Sequence, residues 1–489
     1  MATARAIRWQ HGYGSLPASF WSAATPTAVA APKLLAWNRA LAECLGLDPA
    51  LEAAATQVFS GNQVPEGARP IALAYAGHQF GHFVPQLGDG RAILLGEVTA
   101  PDGRHFDIQL KGAGPTPYSR RGDGRAAIGP VLREYLVSEA MHALGVCTTR
   151  ALAAVATGEH VMRDQVLPGA VLTRVAASHV RVGTFQFFAA RGDNAAVRLL
   201  ADHVIARHFP ELADADDRYL ALFRAIGDRQ AALVASWLQV GFIHGVMNTD
   251  NMAVSGETLD YGPCAFLDAY DPKKVFSSID RHGRYAYSNQ PAIAQWNLAR
   301  LAECLLPLFD RQGDEGVADA RAAIEGFAEV FGSHWLAGMR RKLGLTTQDA
   351  GDEALVRDFL SALDAVQADF TLSFRALAVA AGDPGFDELP PLPKTPAMDD
   401  WLQRWHARCK GEGGSAEERV ARLKAANPAV IPRNHRVEAA LSAAAAGDLA
   451  PFEALLDAVR RPFDEAPAQR GFMVAPAAGE QVLQTFCGT

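Results

Sequence analysis

The sequence predicts an α+β protein of two lobes, a small antiparallel sheet lobe followed by a large helical lobe. Short β-like runs are concentrated between residues 92 and 176, whereas amphipathic helix-like runs fill most of the chain after residue 194. One long helix-like run, residues 129–144, lies among the β-like runs. Strands and helices that are segregated along a chain in this way pack as a sheet beside a group of helices.

The first elements are predicted from turn residues and alternation. Residues 1–70 are Ala-rich and are predicted to form an N-terminal extension with one helix over 32–47. The runs 92–98 and 105–111 are β-like and flank an Asp-Gly pair, which supplies the positive φ angles of a tight turn. These two runs therefore predict a β-hairpin, which a polar loop over 112–125 follows.

The helix predicted over 129–144 has apolar residues four apart on one face, at Leu132, Leu136, Ala140 and Leu144. Its Pro130 lies near the first turn, where proline is tolerated. Two further β-like runs, 151–156 and 169–176, complete the predicted sheet.

The remainder of the chain is predicted to be helical, with a Pro-rich linker at 389–396. The predicted helices span 194–208, 218–240, 291–309, 318–343, 353–382, 398–410, 415–426 and 434–460. The predicted organisation is an N-terminal extension (1–70), a sheet lobe (71–185), a helical lobe (186–390) and a C-terminal helical extension (391–489).

Composition excludes several classes of protein. The chain has 489 residues, of which 49% are hydrophobic and 20% charged, as in ordinary globular proteins. Its formal charge of −8 disfavours a nucleic-acid binder, which needs a basic surface. No apolar run reaches the ~18 residues of a membrane span. We therefore expect no nucleic-acid partner, no membrane insertion and a cytoplasmic location.

The cysteines argue against zinc and disulfide frameworks. Six are present and none forms a CxxC pair. A chain of this length has no need of disulfides to build its core. Reduced thiols are the expectation, with Cys487, third from the C-terminus, as an accessible exception.

Lys111 is the first candidate for chemistry. The chain has eight lysines, and Lys111 is the only one between Lys33 and Lys273. It ends a β-like run, and Glu134 follows on the predicted helix. A strand lysine held by a helix glutamate is how protein kinases grip ATP phosphates. A surface lysine and an unrelated glutamate are the alternative.

A Gly-rich segment, Gln86-Leu-Gly-Asp-Gly-Arg91, precedes the hairpin, where kinases have their phosphate loop. It is not a GxGxxG motif. Gly88 and Gly90 would still let backbone N–H groups approach an anion. An ordinary turn is the alternative interpretation.

A second constellation lies at residues 244–262. Kinases share a loop of His, then Asp two residues on, then Asn five residues further, followed by Asp-aromatic-Gly. His244, Asn251 and Asp260 keep that order, and Asn251 and Asp260 are oxygen ligands suited to Mg²⁺ or Mn²⁺. The position of the catalytic base is Val246, which cannot accept a proton.

The nearest carboxylate that could act as the base, or as a further metal-shell group, is Asp250. An Asx-rich turn is the alternative interpretation of this cluster. The loop therefore predicts a kinase-like fold without ordinary kinase chemistry.

Cationic residues are concentrated after Lys111, at Arg120, Arg121, Arg125 and Arg133, and Arg174 and Arg181 flank a later β-like run. Guanidinium groups bind phosphate oxygens in pairs, which favours an anionic ligand such as a triphosphate. A solvated surface is the alternative. His78 and His82 have the spacing of a metal-binding helix, but the neighbouring aromatic residues favour a packed segment.

Taken together, the motifs closely resemble the selenoprotein O family, the protein adenylyltransferases with a pseudokinase fold. The resemblance covers the chain from Pro17 to the C-terminus. It is carried by YAGHQFGHFVPQLGDGRA (75–92), DIQLKGAGPTPYSRRGDGRA (107–126), LREYLVSEAM (132–141), HGVMNTDNM (244–252), DYGP (260–263), GRYAYSNQP (283–291) and NPAVIPRN (427–434).

The resemblance implies transfer of AMP from ATP to Ser, Thr or Tyr hydroxyls of proteins, with release of pyrophosphate. ATP would lie flipped relative to a kinase, with its α-phosphate towards the acceptor. Glu134 would orient Lys111, Asp250 would accept the proton, and Asn251 and Asp260 would bind Mg²⁺ or Mn²⁺. The nucleotide would be held by Gly88, Gly90, Arg91, Lys111, Asp123, Gly124, Arg174, Arg181 and Asp260.

Three alternatives stay open at the level of sequence. They are a uridylyltransferase that uses UTP and Mn²⁺, a kinase that transfers the γ-phosphate, and a non-catalytic nucleotide-binding pseudokinase. Some members of the family also form a disulfide between a C-terminal cysteine and a loop thiol. Here the segment 275–280 has no cysteine, so that such gating is doubtful, and Cys264 is the nearest alternative partner for Cys487.

Overall fold

The computed structural model describes residues 7–486. It has an α+β architecture with a sheet lobe and a helical lobe, which confirms the predicted class. The strands are β1 (Trp21–Ala23), β2 (Lys33–Trp37), β3 (Ile71–Leu73), β4 (Gly77–Gln79), β5 (His82–Val84), β6 (Ala92–Thr99), β7 (His105–Lys111), β8 (Ala126–Ala127), β9 (Arg150–Met162), β10 (Val166–Ala176), β11 (Phe242–Ile243) and β12 (Ala265–Phe266).

The helices account for most of the chain after β10. They are α1 (Arg39–Cys44), α2 (Leu51–Phe59), α3 (Ile128–Ala143), α4 (Val182–Ala189), α5 (Asn194–His208), α6 (Arg218–Gln239), α7 (Gln290–Leu305), α8 (Gly313–Lys342), α9 (Asp352–Ala365), α10 (Phe370–Ala380), α11 (Pro396–Lys410), α12 (Ala416–Ala426), α13 (Asn434–Ala445), α14 (Ala450–Val459) and α15 (Pro467–Met473).

The main sheet is antiparallel and has the strand order β1-β3-β6-β7-β10-β9-β2, with β8 paired to β10. The predicted hairpin forms its centre as β6 and β7. At eight strands the sheet is larger than the four predicted runs, because β1 and β2 from the N-terminal segment supply its two edges, and β3 and β8 add two further strands.

Helices cover both faces of this sheet. One face packs against α1 and α2, where Leu41 and Phe59 belong to the same hydrophobic core as Ile108 and Leu110 of β7. The other face packs against α3, which contributes Leu132, Tyr135 and Leu136 to a second core. This second core continues into the helical lobe through α6 and α7. Side chains alternate along β7, so Gln109 and Lys111 project to the α3 face.

The helical lobe has a further core around α9, α10 and α11. Trp401 and Trp405 of α11 are fully buried and stack with ring centroids 5.9 Å apart, and Phe359 lies against Trp401. No helix within residues 7–486 is long and apolar enough to cross a membrane.

The prediction of one helix over 32–47 is wrong. Residues 33–37 form β2, which pairs with β9, and only 39–44 are helical. Asn38 separates the two elements, because its side chain accepts a hydrogen bond from the Leu41 N–H and caps α1. Sheet pairing at an edge therefore overrides the Ala- and Leu-rich helical pattern.

Two other predicted helices are each divided in two. The predicted helix 353–382 breaks at Gln367, which has a φ of +52°, and Asp369 then caps α10 through the Leu372 N–H. The predicted helix 434–460 breaks at Gly447, which has a φ of +97°. The strands predicted over 151–156 and 169–176 are longer than expected, as β9 and β10 show.

Candidate active site

A cleft of about 820 Å³ lies between the sheet lobe and the helical lobe. From the sheet side it is lined by residues of β7, β10 and the Gly-rich segment, and from the helical side by residues 246–263. Among the predicted site residues, those that line it are Gly88, Gly90, Arg91, Lys111, Asp123, Gly124, Arg174, Arg181, Asp250, Asn251 and Asp260. Glu134 is buried behind Lys111.

Four charged side chains form a connected network at the cleft wall. The Lys111 Nζ lies 2.7 Å from Glu134 Oε2 and 2.6 Å from Asp260 Oδ1. Arg174 bridges the same two carboxylates, since its Nε donates to Glu134 Oε1 at 2.7 Å and its Nη2 donates to Asp260. The two cations and the two carboxylates therefore neutralise one another.

The fold explains why these residues meet. Arg174 lies opposite Gln109 in the β7–β10 register, so Arg174 and Lys111 project to the same face of the sheet. Glu134 comes from α3, which packs on that face. Asp260 arrives from the helical side with a left-handed backbone, at a φ of +67°. A non-glycine residue in that conformation is uncommon and concentrates at functional sites.

The network shifts the pKa of each carboxylate. Burial opposes ionisation of Asp260, but Arg174, Lys111 and Arg181 outweigh burial and hold its pKa well below the usual range. Burial likewise opposes ionisation of Glu134, and Arg174 and Lys111 lower its pKa. Both carboxylates are therefore ionised at neutral pH.

Asn251 and Asp260 leave oxygen atoms available to a metal ion. The Asn251 side-chain amide donates to the Val246 carbonyl at 3.0 Å, so its Oδ1 is not used in that bond. The Oδ1 of Asp260 accepts hydrogen bonds from both Lys111 and Arg174, and its Oδ2 accepts none from the described residues. Two hard oxygen donors on one cleft fit Mg²⁺ or Mn²⁺.

No group of three or more His, Cys, Asp or Glu side chains within residues 7–486 is arranged to hold a metal ion. An ion bound by Asn251 and Asp260 would complete its coordination with oxygens of a ligand or of water. This is the usual arrangement for Mg²⁺ on nucleotide phosphates.

Asp250 is buried, with 8% of its surface exposed, and yet it lines the cleft. Its Oδ2 accepts from the Gln79 amide at 3.3 Å, and its Oδ1 has no partner among the described residues. Burial raises the pKa of Asp250 to about 6, against the lowering effect of Arg181. An unpaired, weakly acidic carboxylate at a cleft is suited to proton transfer.

A short hairpin, β4–β5, holds the turn that contains Asp250. The His78 N–H donates to Thr249 Oγ1 at 2.6 Å, and the Phe80 N–H donates to Asn248 Oδ1 at 3.0 Å. Gly77 is required at this contact, because a Cβ there would lie 2.7 Å from Asp250 Oδ1. None of the functional residues predicted from the sequence lies on this hairpin.

His244 and Val246 have different places in the loop. His244 is buried, and its Nε2 lies 3.0 Å from the Leu259 carbonyl, so the ring supports the segment that leads to Asp260. Burial lowers the pKa of His244, which favours the neutral ring. Val246 lines the cleft and offers it no proton acceptor.

The Gly-rich segment is closely packed against the loop 112–125. Gly88 has a φ of +70°, and a Cβ on it would lie 2.3 Å from the Tyr118 ring. Gly124 has a φ of +65°, and a Cβ on it would lie 2.1 Å from the Gly114 backbone. A side chain at Gly88 would force the Gly-rich segment away from Tyr118, and a side chain at Gly124 would distort the loop 112–125 itself.

Comparisons with known proteins match this geometry to one family. The family model described as protein adenylyltransferase SelO matches residues 4–460. The chain belongs to the SelO family. The chain is also similar to two proteins named protein nucleotidyltransferase YdiU. The one from Rhizobium meliloti (strain 1021) is 61% identical over 99% of this chain and 100% of that protein. The one from Bradyrhizobium sp. (strain BTAi1 / ATCC BAA-1182) is 60% identical over 98% of this chain and 99% of that protein.

These findings confirm the resemblance predicted from the sequence, and the chain is an enzyme of the nucleotidyltransferase class. Within this SelO-family chain, the cationic residues predicted after Lys111 divide into two groups. Arg120 and Arg125 line the cleft. Arg121 and Arg133 do not, and Arg133 pairs with Glu438 of α13. A charge count over a segment cannot distinguish these two environments.

Arg181 and Asp123 interact with residues that sequence reasoning missed. The Arg181 guanidinium lies 4.4 Å from the Tyr75 ring centroid and 3.7 Å from the buried Asp89 carboxylate. Asp123 pairs with Arg163 at 2.8 Å. Asp89 belongs to the Gly-rich segment and Tyr75 to a conspicuous aromatic segment, so both were visible as motif residues. Arg163 follows no motif.

His78 and His82 lie on β4 and β5 rather than on a helix. The His78 ring packs against Phe83 and Trp296, with centroids 5.0 and 5.3 Å away, so the packed aromatic segment is confirmed. Cys487 lies outside the described residues, and its pairing with Cys264 stays untested.

Proposed function

We propose that this SelO-family enzyme transfers AMP from ATP to Ser, Thr or Tyr hydroxyls of proteins, with release of pyrophosphate and with Mg²⁺ or Mn²⁺. One observation carries the proposal: the Lys111–Glu134–Arg174–Asp260 network shares a cleft with Val246 at the position of the kinase base and with Asp250 nearby. The relatives named protein nucleotidyltransferase support a protein acceptor.

We also infer that the two lobes form a kinase-like fold. A strand lysine, a helix glutamate, an Asn-containing loop and an Asp-Tyr-Gly segment meet at the cleft between them. With that fold, residues 71–185 would form the nucleotide-binding lobe and 186–390 the helical lobe, with extensions over 1–70 and 391–489.

The chain's own residues would act mainly by neutralising and orienting charge. Lys111 and Arg181 present cations to the triphosphate, and Gly88, Gly90 and Gly124 allow its close approach. Arg174 is buried and fully paired, so its main effect is to fix Glu134 and Asp260. Preorganised charge of this kind accounts for most of the rate enhancement in phosphoryl transfer.

In the transfer step, the acceptor hydroxyl oxygen forms a bond to the α-phosphorus, and the bond from that phosphorus to the pyrophosphate oxygen breaks. The Asp250 carboxylate, which Gln79 contacts at Oδ2, takes the hydroxyl proton. Asn251 and Asp260 would hold the divalent ion, which supplies further neutralisation of the phosphates. Val246 then needs no catalytic role.

The proposal is tested with ATP labelled on either phosphate. The protein is incubated with a protein acceptor and Mg²⁺ or Mn²⁺, using ATP labelled at the α- or the γ-phosphorus. Retention of α-label on protein, lost in Asp260→Ala but kept in the exposed-site control Lys33→Ala, supports AMP transfer. Retention of γ-label alone identifies a kinase, and no retention of either label identifies a non-catalytic binder.

A parallel incubation uses UTP labelled at the α-phosphorus. The curated relatives are named for nucleotidyl transfer without a stated nucleotide, so competition between equal concentrations of ATP and UTP decides the donor. Preferential incorporation from UTP would replace adenylyl by uridylyl transfer and leave the site assignments intact.

A further inference from the structure

A second cavity, of about 660 Å³, lies where four helices end. It is lined by residues at or just beyond the C-terminal ends of α3, α6, α8 and α12. None of its lining residues lines the nucleotide cleft, so the two cavities are separate.

Three cations line this cavity, namely Arg341, Lys342 and Arg422, and no Asp or Glu does. Within residues 7–486, none of the three has a carboxylate partner, and only Arg422 has a side-chain hydrogen bond, to the Gly344 carbonyl at 3.3 Å.

Three neighbouring cations that do not line this cavity have carboxylate partners. Arg340 and Arg408 pair with Asp352, and Lys424 pairs with both Asp383 and Glu465. In a chain with a net charge of −8, three adjacent cations without carboxylates are a local exception.

Lys342 is the most deeply buried of the three cations that lack a carboxylate partner. It is 4% exposed and has no hydrogen bond or ion pair with the described residues. Its Nζ lies 4.1 Å from the Phe374 ring centroid and 5.6 Å from that of Phe370. Burial lowers the pKa of Lys342 to about 7.

Helix C-termini and aromatic rings compensate this ammonium only in part. The helix dipole stabilises a cation in the last turn of a helix, and an aromatic ring stabilises a cation above its face. Both effects are smaller than the desolvation cost of burying an unpaired ion. An anion bound beside Lys342, Arg341 and Arg422 would supply the missing counter-charge.

The rest of the cavity wall is largely apolar. Leu144, Val146, Val240, Leu345 and Phe463 line it. Small-molecule sites combine an apolar wall of this kind with a few polar groups that fix orientation.

We propose that this cavity is a binding site for a small organic anion, a molecule with a carboxylate or phosphate group and an apolar body. Its anionic group would contact Arg341, Lys342 and Arg422, and its apolar body would contact the part of the cavity wall formed by Leu144 and Phe463. The site does not depend on the proposed nucleotide chemistry.

The test uses phenyl phosphate, phenylacetate and neutral benzyl alcohol as probes of the full-length protein. Binding is measured by calorimetry and by ligand-detected NMR, with the nucleotide cleft saturated by a non-hydrolysable ATP analogue and Mg²⁺. We expect saturable binding of at least one anion and weaker binding of benzyl alcohol. Binding of phenyl phosphate alone or of phenylacetate alone identifies which anionic group the site takes.

Cavity variants locate the bound probe. Lys342→Met, which keeps side-chain length, and the double variant Arg341→Gln/Arg422→Gln are each expected to weaken anion binding about tenfold or more, because each removes charge-assisted contacts. The exposed double variant Arg357→Gln/Arg404→Gln removes equal charge elsewhere and should bind as the wild type does.

Three results would overturn the proposal: no saturable anion binding, binding that the ATP analogue abolishes, or binding that the cavity variants leave unchanged. Circular dichroism checks the folding of each variant. If Lys342→Met does not fold, the Arg341→Gln/Arg422→Gln variant decides, since Arg341 is exposed and Arg422 only half-buried.

Discussion

Lys111 differs from the arginines around it in how it is held. Its single ammonium contacts Glu134 and Asp260 at once, at 2.7 and 2.6 Å, whereas each Arg174 nitrogen has its own direction. An ammonium is a compact charge with three rotatable donors, so it can also contact a third anion. The planar guanidinium of arginine donates only in fixed directions. Lysine at this position therefore allows a phosphate oxygen to join the two carboxylates.

We expect Lys111→Ala to lower AMP transfer by about 10²–10³-fold, the usual cost of one preorganised charge at a reacting phosphate. The initial rate of incorporation from α-labelled ATP measures it, with thermal melting as the check on folding. Lys33→Ala, on the exposed start of β2, serves as the matched control. Equal rates in Lys111→Ala and Lys33→Ala would remove Lys111 from the mechanism.

At the scale of elements, the β4–β5 hairpin connects the sheet lobe to the Asp250 turn. Three hydrogen bonds make the connection, from His78, Gln79 and Phe80 to the residues of the turn 248–250. Gln79 is the only one of the three that reaches the Asp250 carboxylate. It is a positioning residue, since its amide fixes one oxygen of that carboxylate.

Gln79→Ala is expected to reduce the turnover number about tenfold, because a hydrogen bond to a charged group is worth about 1.5–3 kcal/mol. The KM for ATP should change little, since Gln79 contacts the base and not the phosphate-binding cations. Steady-state kinetics separate the two parameters. Gln57→Ala, exposed on α2, is the control, and Asp250→Asn sets the lower limit of activity. A rise in the ATP KM at constant turnover number would contradict this role.

Glu257 joins a different pair of elements. It is partly buried and accepts hydrogen bonds from the Ala177 N–H at 2.9 Å, just beyond β10, and from Ser255 at 3.0 Å. Burial raises its pKa to about 7, so the folded state binds the proton more tightly than the unfolded chain does. The stability contributed by this proton is complete below about pH 4 and is lost as the pH rises through 7.

Glu257→Gln removes this titration. We expect the variant to gain thermal stability relative to the wild type between pH 5 and pH 8, by no more than about 3 kcal/mol. Thermal melting of both proteins at the two pH values measures the change. Glu329→Gln, exposed on α8, should show the same difference from the wild type at both pH values. A pH-independent difference for Glu257→Gln would refute the assigned pKa.

Elements whose pattern is local were predictable from the sequence. The hairpin β6–β7, the helix α3 and the helix α5 follow from turn residues and apolar periodicity. Edge strands β1 and β2 were not predictable, because their three and five residues form strands only through pairing with β3 and β9. The break between α9 and α10 was also not predictable, because nothing in the sequence signals the positive φ of Gln367.

The candidate site was largely predictable for residues that belong to motifs. Lys111, Glu134, Asn251 and Asp260, which spacing predicted, lie together at the cleft. Arg174 and Arg181, predicted from charge and resemblance, line it as well. Gln79 and Arg163 were missed because their relevance arises from contacts across more than 30 residues of sequence, with Asp250 and Asp123. Such contacts have no signature in a single sequence.

At the scale of the whole molecule, the cleft concentrates positive charge in an acidic protein. The net charge is −8, yet seven cations line the cleft, against the four carboxylates of Asp89, Asp123, Asp250 and Asp260; the cations are Arg91, Lys111, Arg120, Arg125, Arg163, Arg174 and Arg181. This local excess of positive charge would attract a nucleoside triphosphate to the cleft.

The two lobes are joined at the cleft by Lys111 and Arg174 from the sheet and Asp260 from the helical side. Nucleotide with a divalent ion would add contacts to both lobes at this point, so its binding should stabilise the whole fold. At a concentration one hundredfold above the dissociation constant, a ligand adds about 2.7 kcal/mol to the free energy of unfolding. The expected result is a rise of the wild-type melting temperature with ATP and Mg²⁺ or Mn²⁺.

Removal of the metal with a chelator should largely reverse this rise, and Asp260→Asn should show a much smaller one, because it weakens an oxygen donor and unbalances the charge at Lys111. Thermal melting with ATP and metal, with ATP and chelator, and with metal alone separates these contributions. Asp228→Asn, which changes an exposed carboxylate outside the cleft lining, should respond as the wild type does. An equal rise in Asp260→Asn and the wild type would show that the nucleotide binds without the proposed metal site, and would confine the role of Asp260 to its ion pairs with Lys111 and Arg174.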